Sequence, residues 1–321
     1  MNTTITNNPG EISLENYFNI WMAARDGSVR DSTYNVQAAQ FRTIAAYSSE
    51  KGDFGSLKLN EIGIQDIRSL QKALAEKYNS NTVNQYITLV KSILKSAVTE
   101  RLIPYDPSVG VRKLRRTEYE ARKTIHRALS RTETRQFFVA AQNSIYINLY
   151  RFLLNTGCRC GEAAAVKPED IDEKVLFIDR TLTRTKSGGL MLGKDPKTSS
   201  GRRMVPLRKA ALDAIKAQIE FNNRKYAGLC GSECIFRSPQ GLLLCPSSVD
   251  ANIRRICRAA GIEPFTSHAF RDTFATRAIE SGMNPKTLQE LLGHSDFSMT
   301  MNLYCHCMDS TKRREIDLIE I

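Results

Sequence analysis

Four separated stretches hold side chains able to do chemistry: TGCRCGE (156 to 162), DPKTSSGRRMVPL (195 to 207), SHAFRDTFAT (267 to 276) and LLGHSDFSMTMNLY (291 to 304). Between them they offer arginine forks for anions, a lysine, histidines for proton transfer and a phenol. The last runs into Cys305, His306 and Cys307, whose types also suit a metal. Singly none is decisive. Arg159 and Glu162 share a helix face by their i, i+3 spacing, as do His268 and Arg271, and such pairs occur on many helices. If 299 to 308 is helical, Met301, Tyr304, Cys305 and Met308 form one stripe and Met299, Leu303 and Cys307 another. The cysteines of Cys-His-Cys then point to nearly opposite sides, so one ion is not readily held by both, and the expectation is packed thiols and no metal.

The elements that must position these groups read as mainly helical. The stretches SLENYFNIWMAA, STYNVQAAQFRTIAAYSS, IQDIRSLQKALAEK and NSNTVNQYITLVKSILKSAVTERL are each helical in pattern. In the fourth, Val83, Ile87, Val90, Leu94 and Ala97 recur at helical spacing, with Lys91, Lys95 and Arg101 opposite, and Pro104 and Pro107 close the segment. After a polar tail over 1–11, a small helical domain is expected over 12–111. Ser130 and Glu133 form a capping box that opens a helix before Phe137, Phe138 and Ala141, so a second domain is expected over 130–321. Within it, VLFIDRTLTRTKSGGLMLGKDPKTSSGRRMVPL has apolar and β-branched runs broken by Gly and Ser, the pattern of a short antiparallel sheet.

The chain has 321 residues, 41% hydrophobic, enough for one or two sizeable cores. No apolar run approaches the ~18 residues of a membrane span, and MNTTITNNPG lacks the regions of a signal peptide. A cytoplasmic protein with reduced thiols and no membrane partner is expected. The net charge of +12 favours polyanionic partners. From Arg112 to Arg135 nine Lys/Arg stand against three Glu, so half of that charge sits in 24 residues. Arg112, Lys113, Arg115, Arg116, Arg122 and Lys123, in a linker over 112–129, are candidates to lie across phosphates together with Lys91 and Lys95.

Taken together and in this order, the four stretches resemble the phage integrase family, the tyrosine recombinases, whose pattern is Arg, Lys, His-x-x-Arg, His or Trp, then Tyr. The likeness spans roughly residues 125 to 310, and the helical first part resembles the family's core-site-binding domain. The fold it implies is mainly α with a small antiparallel β-sheet, the two domains forming a C-shaped clamp on DNA. The motifs place the catalytic set at Arg159, Lys197, His268, Arg271, His294 and Tyr304, with Glu162 in support.

The resemblance implies breakage and rejoining of double-stranded DNA without ATP or cofactor. Tyr304 would attack phosphorus and become esterified to the 3'-phosphate. A phenol of pKa about 10 needs a cationic site and a proton acceptor, for which His268 is the candidate. Arg159 and Arg271 would bond the non-bridging oxygens, His294 would add a hydrogen bond, and Lys197 would protonate the departing 5'-oxygen. A monomer off DNA, a tetramer in the synapse, accessory DNA-bending or directionality factors and a nucleoid-associated location follow from the same likeness. The segment after Tyr304 is a candidate to dock on a neighbour. Integration and excision of a mobile element is the favoured role. Resolution or inversion, a type IB topoisomerase and a non-catalytic DNA-binding regulator are the competing ones. Only about eleven polar residues precede the first helix, so the simpler two-domain form is expected.

Overall fold

Ser13 opens the first helix as its residue type invites, its side-chain oxygen accepting the Asn16 amide, and helix Leu14–Ala24 turns Leu14, Tyr17, Phe18, Trp21 and Met22 inward. The computed structural model describes residues 9–117, 127–193, 201–228 and 231–301. Its chain divides into two compact units, the first from the described residues up to 117 and the second from 127 onward, apart from Thr185–Ser187.

In the first unit, helices Asp31–Ala45, Ile64–Lys77 and Ser80–Thr99 follow, as the periodicity predicts. Asn79 caps the last by accepting the Thr82 amide at 2.9 Å. Its inward face carries Val83, Ile87, Val90, Leu94 and Ala97. These side chains close one core with Phe41, Phe54, Leu59, Ile67 and Leu70. Each large apolar side chain so buried contributes roughly 1.5–3 kcal/mol. A two-stranded ribbon, β1 (Ser48–Ser49) with β2 (Gly52–Asp53), was not legible, because two-residue strands leave no periodicity to read.

The start of the basic stretch belongs to this unit. Its backbone is fastened to the helices beneath by side chains: Lys91 Nζ donates to the Val111 carbonyl at 2.6 Å, Gln71 donates to Arg112, and Asn84 both donates to and accepts from Leu114. Arg112, Lys113, Arg115 and Arg116 are exposed.

In the second unit the predicted capping box is present. The Ser130 hydroxyl accepts the Glu133 amide at 3.1 Å while the Glu133 carboxylate accepts the Ser130 amide at 2.9 Å, opening helix Arg131–Ala140. Phe137 from this helix sits among Tyr150, Phe265 and Phe270, ring centroids 5.1–5.5 Å away. Helix Ile147–Thr156 supplies Leu149, Tyr150, Phe152 and Leu153 to the same core. It stops at Gly157, where φ is +66° and an added Cβ would lie 2.6 Å from the Phe274 ring, so glycine is required twice over.

The expected sheet is present as two. Strands β3 (Ile171–Asp172), β4 (Val175–Ile178) and β7 (Arg203–Pro206) form one antiparallel sheet in that order, while β5 (Thr181–Arg184) and β6 (Leu190–Gly193) pair separately. Asp179 and Arg180 interrupt the apolar run between β4 and β5, and Arg180 is held by Asp170 and Asp179 at 3.0 and 2.9 Å. Helices Lys209–Lys225, Pro246–Ala260, His268–Glu280 and Pro285–Leu292 complete the unit. Among the described residues no helix is long and apolar enough to cross a membrane.

Candidate active site

Beyond Gly157 the chain turns at once into the short helix Cys160–Ala163, with Arg159 at its N-cap. Glu162 reaches back to the residue that begins the turn. Its Oε2 accepts the Arg159 backbone N–H and its Oε1 accepts Arg159 Nη1, both at 2.8 Å. The i, i+3 pair read in the sequence is therefore made through backbone and side chain together.

Glu162 is buried, and a second guanidinium completes its coordination. Arg203, the first residue of β7, donates Nη1 to Oε1 at 3.1 Å and Nη2 to Oε2 at 2.8 Å. Burial alone would raise the pKa of this carboxyl, but the bonds from Arg203 and the charges of Arg203 and Arg159 outweigh it and bring it down to about 2. The arrangement is a buried ion pair whose acceptor oxygens are filled, the condition under which such a pair is stable.

Arg271 stands one turn into helix His268–Glu280 and is 2% exposed. It donates Nη1 to the Gly157 carbonyl at 2.8 Å and Nη2 to the Leu292 carbonyl at 2.6 Å. Among the described residues no carboxylate forms an ion pair with it. Burial, and after it the neighbouring charge of Arg159, lower its pKa to about 9. Three guanidinium groups thus stand about one carboxylate that pairs with two of them, Arg159 and Arg203, and the cluster holds uncompensated positive charge.

One helix end serves all three arginines. The successive carbonyls of Leu291, Leu292 and Gly293 accept Arg203 Nε at 2.7 Å, Arg271 Nη2 at 2.6 Å and Arg159 Nη2 at 3.3 Å. Carbonyls in a last turn have no partner inside their helix and carry the negative end of its dipole, so cations are favoured there. Gly293, with φ +65°, makes the stop that exposes them. Arg159 differs from the other two in that its side chain remains 41% exposed.

The residue after that stop is His294, which is buried, with Nδ1 2.9 Å from the Thr300 hydroxyl. Gln289 accepts its amide and donates to its carbonyl. His268 begins the helix that carries Arg271. Its side chain is 55% exposed and Nε2 lies 3.7 Å from Oδ1 of the buried Asp272.

The structure therefore brings Arg159, Glu162 and Arg271 into one bonded cluster, sets His294 directly beyond the helix end that binds it, and leaves His268 exposed one turn before Arg271. Lys197, Tyr304, Arg122 and Lys123 lie outside the described residues, as do Cys305 and Cys307. Of the phosphate-contact candidates, Lys95 is exposed, whereas Lys91 is half-buried and spends its ammonium on the Val111 carbonyl. Cys158 and Cys160 flank Arg159, and burial pushes their thiols up to about 11 and about 12.

Arg203 was missed by sequence reasoning, although a signal existed. Arg203, Val205 and Leu207 alternate with exposed neighbours, so the strand period puts an arginine on the inward face, where a charge requires a partner. Asp272 and Thr300 were missed as well, since nothing in their spacing marks them as partners of the histidines.

Comparison with known proteins gives the family and the fold. Residues 123–311 match the phage integrase family and residues 13–113 the phage integrase SAM-like domain. The chain is 26% identical over 272 residues to the transposase from transposon Tn916 of Enterococcus faecalis, an alignment covering 78% of this chain and 66% of the relative. It thus spans just under two thirds of that relative's length. Its fold is similar to the Tn1549 transposon integrase in complex with a circular intermediate DNA, with a TM-score of 0.79, 22% identity, and 95% and 99% of the two chains covered. It is also similar to a lambda integrase tetramer bound to a Holliday junction, with a TM-score of 0.68, 18% identity, and 92% and 81% covered. At these identities the two structures establish the fold.

Proposed function

The chain belongs to the phage integrase family of tyrosine recombinases, with a SAM-like domain matched ahead of the integrase one, and from that premise we propose that it is a site-specific DNA recombinase acting through a covalent 3'-phosphotyrosyl intermediate. The observation that carries the reading is the arginine cluster. Arg271 is buried with carbonyl partners and no ion pair among the described residues, and Arg159 is held by Glu162 with its side chain part-exposed. A site of this kind gains most from an anion with several equivalent oxygens, as a phosphodiester in transition has.

In this reading Tyr304 Oη forms the bond to phosphorus as the P–O5' bond breaks, so the bond count at phosphorus is conserved and no ATP is consumed. His268 takes the phenol proton and Lys197 gives one to the departing 5'-oxygen. Arg159 and Arg271 stabilise the non-bridging oxygens and His294 adds a further bond. Resealing is the same sequence reversed.

The mobile-element role is the finer proposal, supported by the names of the relatives: a transposase of Tn916 and an integrase bound to a circular intermediate of Tn1549. Integration and excision by a tetramer on two duplexes is the corresponding assembly, by analogy with the lambda integrase tetramer bound to a Holliday junction, and a cytoplasmic, nucleoid-associated location is proposed with it. Resolution or inversion would use the same residues, and a topoisomerase would act on one duplex without synapsis.

The test is to mix the protein with sheared host DNA in EDTA, stop with detergent, and sequence the DNA ends that remain attached. The expected result is recurrent ends at a small number of sites, each bearing a free 5'-hydroxyl, absent with Tyr304→Phe. Adducts that vanish in EDTA or survive in Tyr304→Phe overturn the mechanism, and ends scattered without preference favour the topoisomerase.

A further inference from the structure

The guanidinium of Arg203 has all three nitrogens committed to fixed acceptors. Nη1 and Nη2 bond the two oxygens of Glu162, and Nε bonds the Leu291 carbonyl. Its side chain is 6% exposed, against 41% for Arg159. Three of its five N–H bonds are thus spent within the protein, with the paired nitrogens of its fork facing both oxygens of Glu162. It thereby joins three elements that each carry part of the site: β7, the short helix after Arg159, and the end of helix Pro285–Leu292.

Its charge also matters. Glu162 alone would neutralise Arg159, and a neutralised Arg159 would attract a phosphate weakly. With Arg203 as a second counter-ion, one carboxylate faces two guanidiniums, and the three groups together leave a net charge of +1 at the site. Glu162 can then orient Arg159 through backbone and side chain without cancelling it.

We propose that Arg203 is a positioning residue for strand transfer: it neutralises and clamps Glu162, so that Arg159 is held in place with its positive charge available, and it ties that pair to the helix end from which His294 follows. The proposal rests on the recombinase reading above. Partners at this remove from a reacting centre are typically worth roughly 10- to 100-fold in activity.

The experiment compares wild type with Arg203→Met, Arg203→Lys, Glu162→Gln and the double variant Glu162→Gln/Arg203→Met. Two quantities are read: single-turnover adduct formation on a duplex carrying the sequence recovered from trapped ends, with its Kd for that duplex, and hydrogen exchange at the Arg159 amide, which donates to Glu162. Arg203→Met is expected to slow adduct formation by roughly 10- to 100-fold with Kd changed less than about threefold. Arg203→Lys, which keeps the charge and loses the fork, is expected between the two. The double variant should be no slower than the slower single one, since the residues act as a unit. Exchange at the Arg159 amide should accelerate by about tenfold or more while amides of helix Ile147–Thr156 stay within about twofold.

A rate within about twofold of wild type in Arg203→Met, an unchanged Arg159 amide, or additive effects in the double variant overturns the proposal. If Arg203→Met does not fold, Arg203→Lys carries the same comparison. If wild type itself forms no adduct, the recombinase reading fails, and the amide measurement still decides whether Arg203 holds Arg159.

Discussion

The carbonyl of Gly157, which ends one helix in a left-handed turn, accepts Nη1 of Arg271 from another helix at 2.8 Å. The bond fixes a guanidinium that no carboxylate among the described residues pairs with, and it does so through backbone, which a change of nearby side chains cannot remove. Arg271→Lys keeps a charge at this place but offers one nitrogen where two carbonyls, of Gly157 and Leu292, are waiting. Leaving one of them unbonded is expected to cost roughly 1–3 kcal/mol of stability. The loss in cleavage is expected to be larger, on the order of a hundredfold or more, because the N–H bonds that the two carbonyls leave for a phosphate are lost too. Urea unfolding and single-turnover cleavage measure the two separately. A variant that cleaves as wild type does would remove Arg271 from the reaction.

Glu162 makes stability depend on acid. Its pKa is about 2 in the folded chain against an ordinary 4.5, so the folded state holds this proton less tightly than the unfolded one. The contribution is fully present above pH 4.5 and is lost as pH falls from there toward 2. A shift of this size corresponds to on the order of 3 kcal/mol. Glu162→Gln should therefore be less stable than wild type at pH 7, with the gap narrowing progressively below pH 4.5. Chemical unfolding at pH 7, 4 and 3 checks the trend, and a gap that stays constant across that range would show that Glu162 titrates normally.

The fastened stretch that begins at Val111 predicts how DNA affinity responds to salt. Its backbone is held by Lys91, Gln71 and Asn84, and Arg112, Lys113, Arg115 and Arg116 face solvent. If each neutralises one phosphate, replacing all four by alanine lowers the slope of log K against log salt by roughly 3 to 4. Stability should hardly change, since none of the four side chains is buried. Fluorescence titrations between low and moderate salt read the slope directly. A variant with weaker binding but the parental slope would place the phosphate contacts elsewhere.

Much of this architecture was legible in the sequence because it rests on local rules. Asn79 and Ser130 cap the helices they introduce, and Val83 to Leu94 bury the face that their spacing selects. Arg159, Glu162 and Arg271 were legible through motif order. Their surroundings were not, because much of what binds them is backbone. The carbonyls of Leu291, Leu292 and Gly293 become acceptors only when the helix end meets β7 and the turn after Gly157, and no residue type records that meeting. Arg203 lies between these cases. Strand alternation marks it as an inward charge, but its partner lies 41 residues away, at a distance that only the fold closes.

The thiols around the site give a last expectation. Cys158 and Cys160 flank Arg159, and a conspicuous pair of cysteines invites the idea of redox control. Thiolate is the reactive form, and burial pushes these two up to about 11 and about 12. Cys245 is different. Burial raises it too, but the Ser247 hydroxyl and the amides of Ser247 and Ser248 act against that, Arg184 Nη2 lies 3.3 Å from its sulfur, and the net shift is downward. It also caps helix Pro246–Ala260, whose N-terminal end favours an anion. Brief alkylation with iodoacetamide at pH 7.5 should thus mark Cys245 several-fold ahead of Cys158 and Cys160, as read by peptide mass spectrometry. With Cys245→Ser, cleavage should stay insensitive to a mild oxidant as far as Cys158 and Cys160 govern it. Rapid labelling at Cys158 would mean that the turn around Arg159 opens far more often than its bonds to Glu162 and the Leu291–Gly293 helix end allow.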